Sequence, residues 1–220
     1  MVFATEDEAS ILKGFAENPG GKSVISCFGH QVSVLVTGVG AMSTAWSLQQ
    51  WTGMNELPDL AINAGIAGSF DENIAPGDVV LAESDCFADL GIENGDTFLT
   101  LQEAGFLNPG QFPFRDGRLW SSNKYFGEIR NLLKPVHAAT VNTASGTRPG
   151  IERIKEKFNP AIETMEGATF FYICLRKNIP FLAVRAVSNM VTPGRRSEWN
   201  IPLALEKLTE KIKLILITLG

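Results

Sequence analysis

The sequence has few of the residues that bind metals or form disulfides. Its 220 residues include three cysteines and two histidines. Cys27, Cys86 and Cys174 lie far apart in the chain, and no Cys-x-x-Cys pair occurs. Disulfide-stabilised domains and zinc sites need closely spaced sets of such residues. We therefore expect no disulfide framework, no metal and no other cofactor, and the free thiols fit a cytoplasmic location.

An excess of basic residues and a long apolar run are also missing. The chain carries 19 Lys and Arg against 24 Asp and Glu, a net charge of −5, and the basic residues are scattered. This charge pattern gives no electrostatic footprint for nucleic acid. The apolar tail at 212–219 is too short to span a bilayer, and the acidic stretch at 6–8 is unlike a secretory signal. We expect a soluble protein whose partner is neither nucleic acid nor membrane.

The composition and the hydrophobic pattern of the sequence fit one α/β domain over residues 1–220. With 45% hydrophobic and 20% charged residues, the chain can form one sizeable core and does not require two. Residues 168–177 have the aromatic and aliphatic content of a buried helix. The run 181–187 is apolar except for Arg185, which is typical of a strand covered on both faces. A hairpin at 24–36, a helix at 41–54 and a final helix at 198–219 are also predicted.

Two groups of polar residues flank this buried helix and strand. Glu166 is predicted in the first turn of the helix, where free N–H groups favour an ionised carboxylate and a fixed hydrogen-bond acceptor. Ser188 and Asn189 are predicted just beyond the strand, where open α/β sheets bind ligands. A helix cap beside a core methionine, Met165, is the competing interpretation of the first group.

The first acidic residues also allow two interpretations. Thr5 and Glu8 have the spacing of a capping box, which gives Glu8 a structural role at a helix start. Further on, residues 37–40 form a glycine-bearing turn before a helix, and its N–H groups can face an anion. This turn lacks the third glycine and the acidic residue of a dinucleotide site.

Three motifs together resemble a known superfamily. Met165-Glu166, the run 185–189 (RAVSN) and the run 195–201 (RRSEWNI) are similar to segments of the purine nucleoside phosphorylases and nucleosidases. Within that superfamily they resemble the methylthioadenosine/S-adenosylhomocysteine nucleosidases and, more closely, the futalosine hydrolases. The resemblance implies a three-layer sandwich with a central mixed, twisted sheet flanked by helices. It also implies a purine nucleoside as partner and a homodimer or higher homo-oligomer.

The resemblance implies roles for individual residues. Glu8 would deprotonate the attacking water, Glu166 would accept hydrogen bonds from the ribose hydroxyls, and Asn189 would bind the purine at N7 and O6. A serine occupies the place of Ile66 in the nucleosidases, so contacts there would be apolar or through the backbone. The predicted substrate-binding residues are Gly65, Ile66, Ser145, Met165, Arg195, Arg196 and Trp199, with Trp199 packing the Asn189 segment over the site.

The identity of the base follows from Asn189, because adenine-cleaving nucleosidases carry an aspartate there. An amide suits a 6-oxopurine such as hypoxanthine, which futalosine contains. Arg148, Arg195 or Arg196 would pair with the substrate's benzoate, and the irregular excursion at 84–123 would be a pocket lid or dimer contact. The alternatives are an adenosine-specific nucleosidase, a phosphorylase, for which the arginine-bearing phosphate loop is missing, and a non-catalytic nucleoside-binding protein.

Overall fold

The computed structural model describes residues 1–15, 24–95, 97–194 and 196–220. The predicted loop at 19–21 and Arg195 lie outside these ranges. The strands are β1 (Val2–Phe3), β2 (Val24–Cys27), β3 (His30–Ser33), β4 (Leu35–Val36), β5 (Ala61–Ser69), β6 (Val79–Asp85), β7 (Gly91–Asn94), β8 (Thr97–Thr100), β9 (Leu119–Trp120), β10 (Lys134–Thr140), β11 (Ile162–Thr164) and β12 (Phe181–Met190). The α-helices are α1 (Glu6–Ala9), α2 (Ala41–Met54), α3 (Lys124–Ile129), α4 (Arg148–Phe158), α5 (Gly167–Arg176) and α6 (Ile201–Leu219).

One mixed sheet forms the centre of the molecule. Its strands run in the order β11-β10-β6-β12-β5-β1-β4, and β9 pairs with β6. β12 runs parallel to β5 and antiparallel to β6. β11 also pairs with β5, in antiparallel orientation, so the sheet curls until the terminal strand β11 meets β5, which lies four places along the order. This closure brings β11 and β12 to the two sides of β5, which matters for the site described below.

Helices cover both faces of the sheet, as the alternation along β12 shows. Phe181, Ala183 and Val187 pack in the hydrophobic cluster that contains α5 and Leu48 of α2. Leu182, Val184 and Ala186 pack in the cluster that contains α3 and α6. Because neighbouring residues of a strand point to opposite faces, a strand between two helical layers is apolar on both faces, and Arg185 is the exception in the run 181–187 of β12. The predicted three-layer α/β domain is confirmed.

Several predicted boundaries are wrong in detail. The hairpin ends at Ser33, and β4 leaves it to pair with β1 in the main sheet. The last helix begins at Ile201, because Asn200 caps it with its side chain. β12 extends through Ser188 and Asn189, which were predicted to follow the strand.

Among the described residues, no helix combines the length and the apolar character that a membrane span requires.

Candidate active site

A cavity of about 710 Å³ lies near the carboxyl ends of β1, β5 and β12. Cavities of this size accommodate small organic ligands. The predicted catalytic residues Glu8, Glu166 and Asn189 all line it, although they come from three distant parts of the chain. The fold therefore brings together the groups that the sequence analysis singled out separately.

Glu8 is held by backbone N–H groups on both of its carboxylate oxygens. The capping box is present, as predicted, with the Thr5 side chain accepting from the Glu8 N–H. Glu8 Oε2 accepts from the N–H groups of Ala4 at 2.9 Å and Thr5 at 3.1 Å, and Oε1 accepts from the Ile66 N–H at 3.0 Å. An ionised carboxylate has about four acceptor positions, so one remains for a ligand or water. The capping role and a role in the cavity are thus compatible.

Gly65 was predicted to bind the substrate, but it lies beside Glu8 and not in the cavity wall. It does not line the cavity, whereas its neighbours Ile66, Ala67 and Gly68 do. A Cβ atom at Gly65 would lie 2.7 Å from Glu8 Oε1 and 3.3 Å from Glu8 Cδ. Glycine at this position lets the Glu8 carboxylate approach β5 closely enough to bond Ile66. Gly65 therefore helps to position Glu8, and its contact with a ligand stays a prediction.

Glu166 lies one residue before the helix in which it was predicted, at the N-cap position of α5. Its side chain does not cap that helix, and Oε1 accepts from the Gly40 N–H at 2.8 Å. The predicted anion at the turn of residues 37–40 is therefore the protein's own carboxylate. Burial raises the pKa of Glu166, whereas the Gly40 N–H and Arg185 oppose that rise and Glu8 adds to it. Glu166 thus accepts a backbone hydrogen bond from another segment rather than from its own helix, and its role as a fixed acceptor for a ligand stays a prediction.

Arg185 is a buried cation behind the two carboxylates. It is 1% exposed and donates to the Asn63 carbonyl at 2.9 Å, the Val184 carbonyl at 3.0 Å and the Asn63 side-chain oxygen. Glu166, Glu8 and Asp85 favour its charged form, while burial lowers its pKa. The sequence analysis assigned no role to Arg185, although a single charge in an apolar strand was the available signal.

Asp85 is a second buried group that the sequence analysis missed. Its Oδ1 accepts from the Cys86 N–H at 2.7 Å and the Thr140 hydroxyl at 3.0 Å, while Oδ2 has no hydrogen-bond partner. Burial raises the pKa of Asp85 to about 7, against the opposing effects of Thr140, Arg118 and Arg185. Thr140 in turn accepts from the Ala168 N–H in the first turn of α5. Asp85 thus supports the helix start that carries Glu166.

Asn189 reaches the cavity because β12 contains a bulge. The pairing with β5 shifts between Val187 and Asn189, so Ser188 is an extra residue and both Ser188 and Asn189 line the cavity. The Ser188 hydroxyl donates to Asn189 Oδ1 at 2.8 Å, and Asn189 Nδ2 donates to the Met190 carbonyl at 3.0 Å. These bonds fix the amide and leave one N–H and one acceptor position free for a ligand.

The cavity also contains a carboxylate that was not predicted. Glu163 of β11 is 7% exposed and lines the cavity. Its Oε1 accepts from the Ser145 N–H at 2.9 Å, and Oε2 accepts from the Ser145 hydroxyl. Burial raises the pKa of Glu163, and the two bonds from Ser145 oppose that rise. Ser145, predicted to contact the ligand, lines the cavity beside this carboxylate.

The remaining predicted binding residues divide into two groups. Met165, Arg196 and Trp199 line the cavity, and the Asn200 N–H donates to the Ser188 carbonyl, which joins the Trp199 segment to the Asn189 segment. Arg148 is exposed at the start of α4 and does not line it. None of the described residues between 84 and 123 lines the cavity, which speaks against the first half of the expected pocket lid or dimer contact, and the dimer contact stays a prediction. Their aromatic rings pack elsewhere, for example Phe98 on Phe158.

Comparisons with known proteins agree with this arrangement. The family model described as the phosphorylase superfamily matches residues 4–218. The chain belongs to this superfamily. It is 32% identical to the futalosine hydrolase of Streptomyces coelicolor over 184 residues, and the matched region covers 81% of this chain and 76% of that relative. It is 26% identical over 197 residues to the 5'-methylthioadenosine/S-adenosylhomocysteine nucleosidase of Buchnera aphidicola, which covers 84% of this chain and 79% of the relative.

A solved structure supports the fold assignment. The 5'-methylthioadenosine/S-adenosylhomocysteine nucleosidase of S. pneumoniae, with a transition-state inhibitor, superposes with a TM-score of 0.83 at 22% identity, covering 100% of this chain and 98% of that one. The predicted nucleoside phosphorylase-like fold is confirmed. Since the named relatives hydrolyse N-glycosidic bonds, the chain is a nucleosidase of this superfamily.

Proposed function

We propose that this chain hydrolyses the N-ribosyl bond of futalosine and releases hypoxanthine and dehypoxanthine futalosine, a step of menaquinone biosynthesis. The observation that supports this proposal best is the convergence of Glu8, Glu166 and Asn189 on one cavity, with an amide rather than a carboxylate in the third position. Two carboxylates suit the cationic sugar of the transition state, and the amide suits a 6-oxopurine leaving group.

The two carboxylates divide the work at the sugar. Cleavage of an N-ribosyl bond develops positive charge on the ribose, and buried carboxylates stabilise such charge because few water molecules screen it. Glu166 accepts hydrogen bonds from the ribose hydroxyls with the oxygen positions that Gly40 leaves free. Glu8 holds a water molecule and takes its proton as the water attacks the anomeric carbon. A positioned base of this kind contributes about 10²–10⁴ to the rate.

Asn189 acts on the leaving base. The remaining N–H of its amide donates to O6 or N7 of the purine. When solvent protonates N7 as the bond breaks, the remaining acceptor position of Oδ1 accepts a hydrogen bond from the new N7–H. An aspartate in the same place would set an acceptor against O6 unless it were protonated. This difference favours a hypoxanthine-bearing nucleoside over an adenine-bearing one.

Further residues of the cavity suit the rest of futalosine. Ile201 and Leu205 supply apolar wall, and Arg196 lies at the same cavity. No ion pair or hydrogen bond of the Arg196 side chain occurs within the described ranges, so its guanidinium is available to a benzoate. Arg148 provides a matched control, since it is exposed and lies away from the cavity.

A direct comparison of substrates tests the proposal. Purine release from futalosine, inosine and methylthioadenosine is measured for the wild type and for Asn189→Asp, with and without phosphate. We expect the wild type to cleave futalosine with the highest kcat/KM, phosphate to have no effect, and Asn189→Asp to shift the preference toward methylthioadenosine. Arg196→Ala should raise KM for futalosine more than for inosine, and Arg148→Ala should change neither.

Two results would overturn it. Formation of ribose 1-phosphate would identify a phosphorylase, and a wild-type preference for methylthioadenosine would identify an adenosine-specific nucleosidase. The second candidate has a specific observation in its favour, because nucleosidases of that type are also related to this chain over most of its length, at 26% identity for the protein from Buchnera aphidicola.

A further inference from the structure

Glu163 has no part in the reaction described above. The water, the ribose and the N7/O6 edge of the base are assigned to Glu8, Glu166 and Asn189. A buried carboxylate costs free energy unless its oxygens are hydrogen-bonded, and Ser145 supplies one bond to each oxygen of Glu163. Each oxygen retains an acceptor position, and the residue lines the cavity.

The sheet places Glu163 opposite Asn189. Glu163 on β11 pairs with Gly68 of β5, and Asn189 on β12 pairs with the same Gly68 from the other side. Neighbouring strands lie about 4.8 Å apart, so the two backbones are roughly 10 Å apart, and residues in register project from the same face of the sheet. Gly68 lies between them, lines the cavity and has no side chain. The three residues form a slot with an amide on one wall and a carboxylate on the other.

This slot matches the hydrogen-bonding edge of one class of base. Along that edge a 6-oxopurine presents N7, then the acceptor O6, then the donor N1–H. Adenine presents N7, then the amino donor, then N1 as an acceptor. A carboxylate opposite N1 therefore accepts a hydrogen bond from a 6-oxopurine and faces a lone pair of adenine.

We propose that Glu163 determines the base specificity of the site by accepting the N1–H of a 6-oxopurine, while Asn189 binds the N7/O6 side. The proposal rests on the proposed function, since it concerns the base of the same nucleoside. Discrimination follows because adenine leaves the buried carboxylate without its partner, and sites that require a substrate N–H reject analogues that lack it by large factors.

Binding of free bases tests this without any need for turnover. Dissociation constants of hypoxanthine, 1-methylhypoxanthine and adenine are measured by calorimetry for the wild type, Glu163→Gln and Ser145→Ala. We expect wild-type protein to bind hypoxanthine on the order of 10²-fold more tightly than either other base. Glu163→Gln, whose amide can donate to adenine N1, should remove most of this preference. Ser145→Ala keeps the carboxylate and should weaken all bases while retaining their ratio.

The outcomes separate the two proposals. If the wild type prefers hypoxanthine and Glu163→Gln keeps that preference, the role of Glu163 is refuted and the proposed function stands. If 1-methylhypoxanthine binds the wild type as tightly as hypoxanthine, the role is refuted without any variant. If futalosine is not cleaved but Glu163→Gln still abolishes the preference for hypoxanthine, the futalosine proposal fails and the specificity role of Glu163 is supported.

Discussion

Gly65→Ala tests the position of Glu8, because the added methyl group would contact the Glu8 carboxylate. A Cβ atom at residue 65 would lie 2.7 Å from Glu8 Oε1. Ordinary contacts between such atoms are about 3.5 Å or longer, so the carboxylate must move by roughly 0.7–1 Å. That movement takes Oε1 away from the Ile66 N–H, its partner at 3.0 Å.

The expected consequence is a catalytic defect with a small loss of stability. A misplacement of about 1 Å at a reacting group can cost about 10²-fold in rate, so we expect kcat to fall between about 10- and 10²-fold. Loss of one backbone hydrogen bond costs about 0.5–1.5 kcal/mol, and the reduced flexibility of the unfolded chain offsets about 0.4–1 kcal/mol of it. The net change in the free energy of unfolding should be about 1 kcal/mol or less.

The assay compares kcat for base release with urea unfolding of the same protein. Gly53→Ala is the matched control, since a Cβ atom at Gly53 in α2 meets nothing within 4 Å. The control should keep the wild-type kcat. If Gly65→Ala also keeps wild-type kcat and wild-type stability, the Glu8 carboxylate is not the positioned base and the assignment of the water to Glu8 is wrong.

Three further outcomes are expected. Glu8→Gln should keep nucleoside affinity within a few-fold and lower kcat by about 10²–10⁴, measured by inhibitor binding and single-turnover rates. The pKa of Asp85, raised from 3.8 to about 7, makes the folded state bind its proton more tightly, so stability falls by up to roughly 4 kcal/mol as pH rises from about 4 to 7. In urea unfolding, Asp85→Asn should have a higher free energy of unfolding than the wild type at pH 8 but not at pH 4. A difference between the two proteins that is the same at both pH values contradicts this. Light scattering should give a homodimer or a multiple of it, because the large apolar side chains of Trp46 and Phe106 are 66% and 71% exposed. The variants Trp46→Glu and Phe106→Glu show which of the two surfaces forms the subunit contact. A fully active monomer refutes the expectation.

The parts of the site that sequence analysis found were those with a local signal. The spacing of Thr5 and Glu8 predicts a capping box, and the apolar run containing Arg185 predicts a strand covered on both faces. Both are present because neighbouring residues along the chain determine them. The glycine turn before α2 was also predicted, with an anion at its N–H groups, and that anion is Glu166.

The parts that it missed depend on contacts between distant segments. Glu163 lies in a strand of three residues, too short for an alternating pattern. It lies across Gly68 from Asn189 because β11 pairs with β5 as well as with β10. Pairing of this kind leaves no mark in the local sequence. The excursion at 84–123 was predicted to be a pocket lid or dimer contact because it is long and irregular, and its phenylalanines argued against disorder. Apolar composition specifies burial and not the surface against which a segment packs.

The charges around Arg185 explain how two carboxylates can remain acceptors in one buried cavity. Glu8, Glu166 and Asp85 all favour the charged form of this arginine, so one cation faces three acids. Burial raises the pKa of Glu166, and the nearby Glu8 carboxylate adds to that rise. Burial also raises the pKa of Asp85, the acid with no cavity role, to about 7, so that Asp85 is protonated below this pH. Protonation of Asp85 leaves Glu8 and Glu166 as the ionised partners of Arg185, and these are the two groups to which the proposed reaction assigns the water and the ribose.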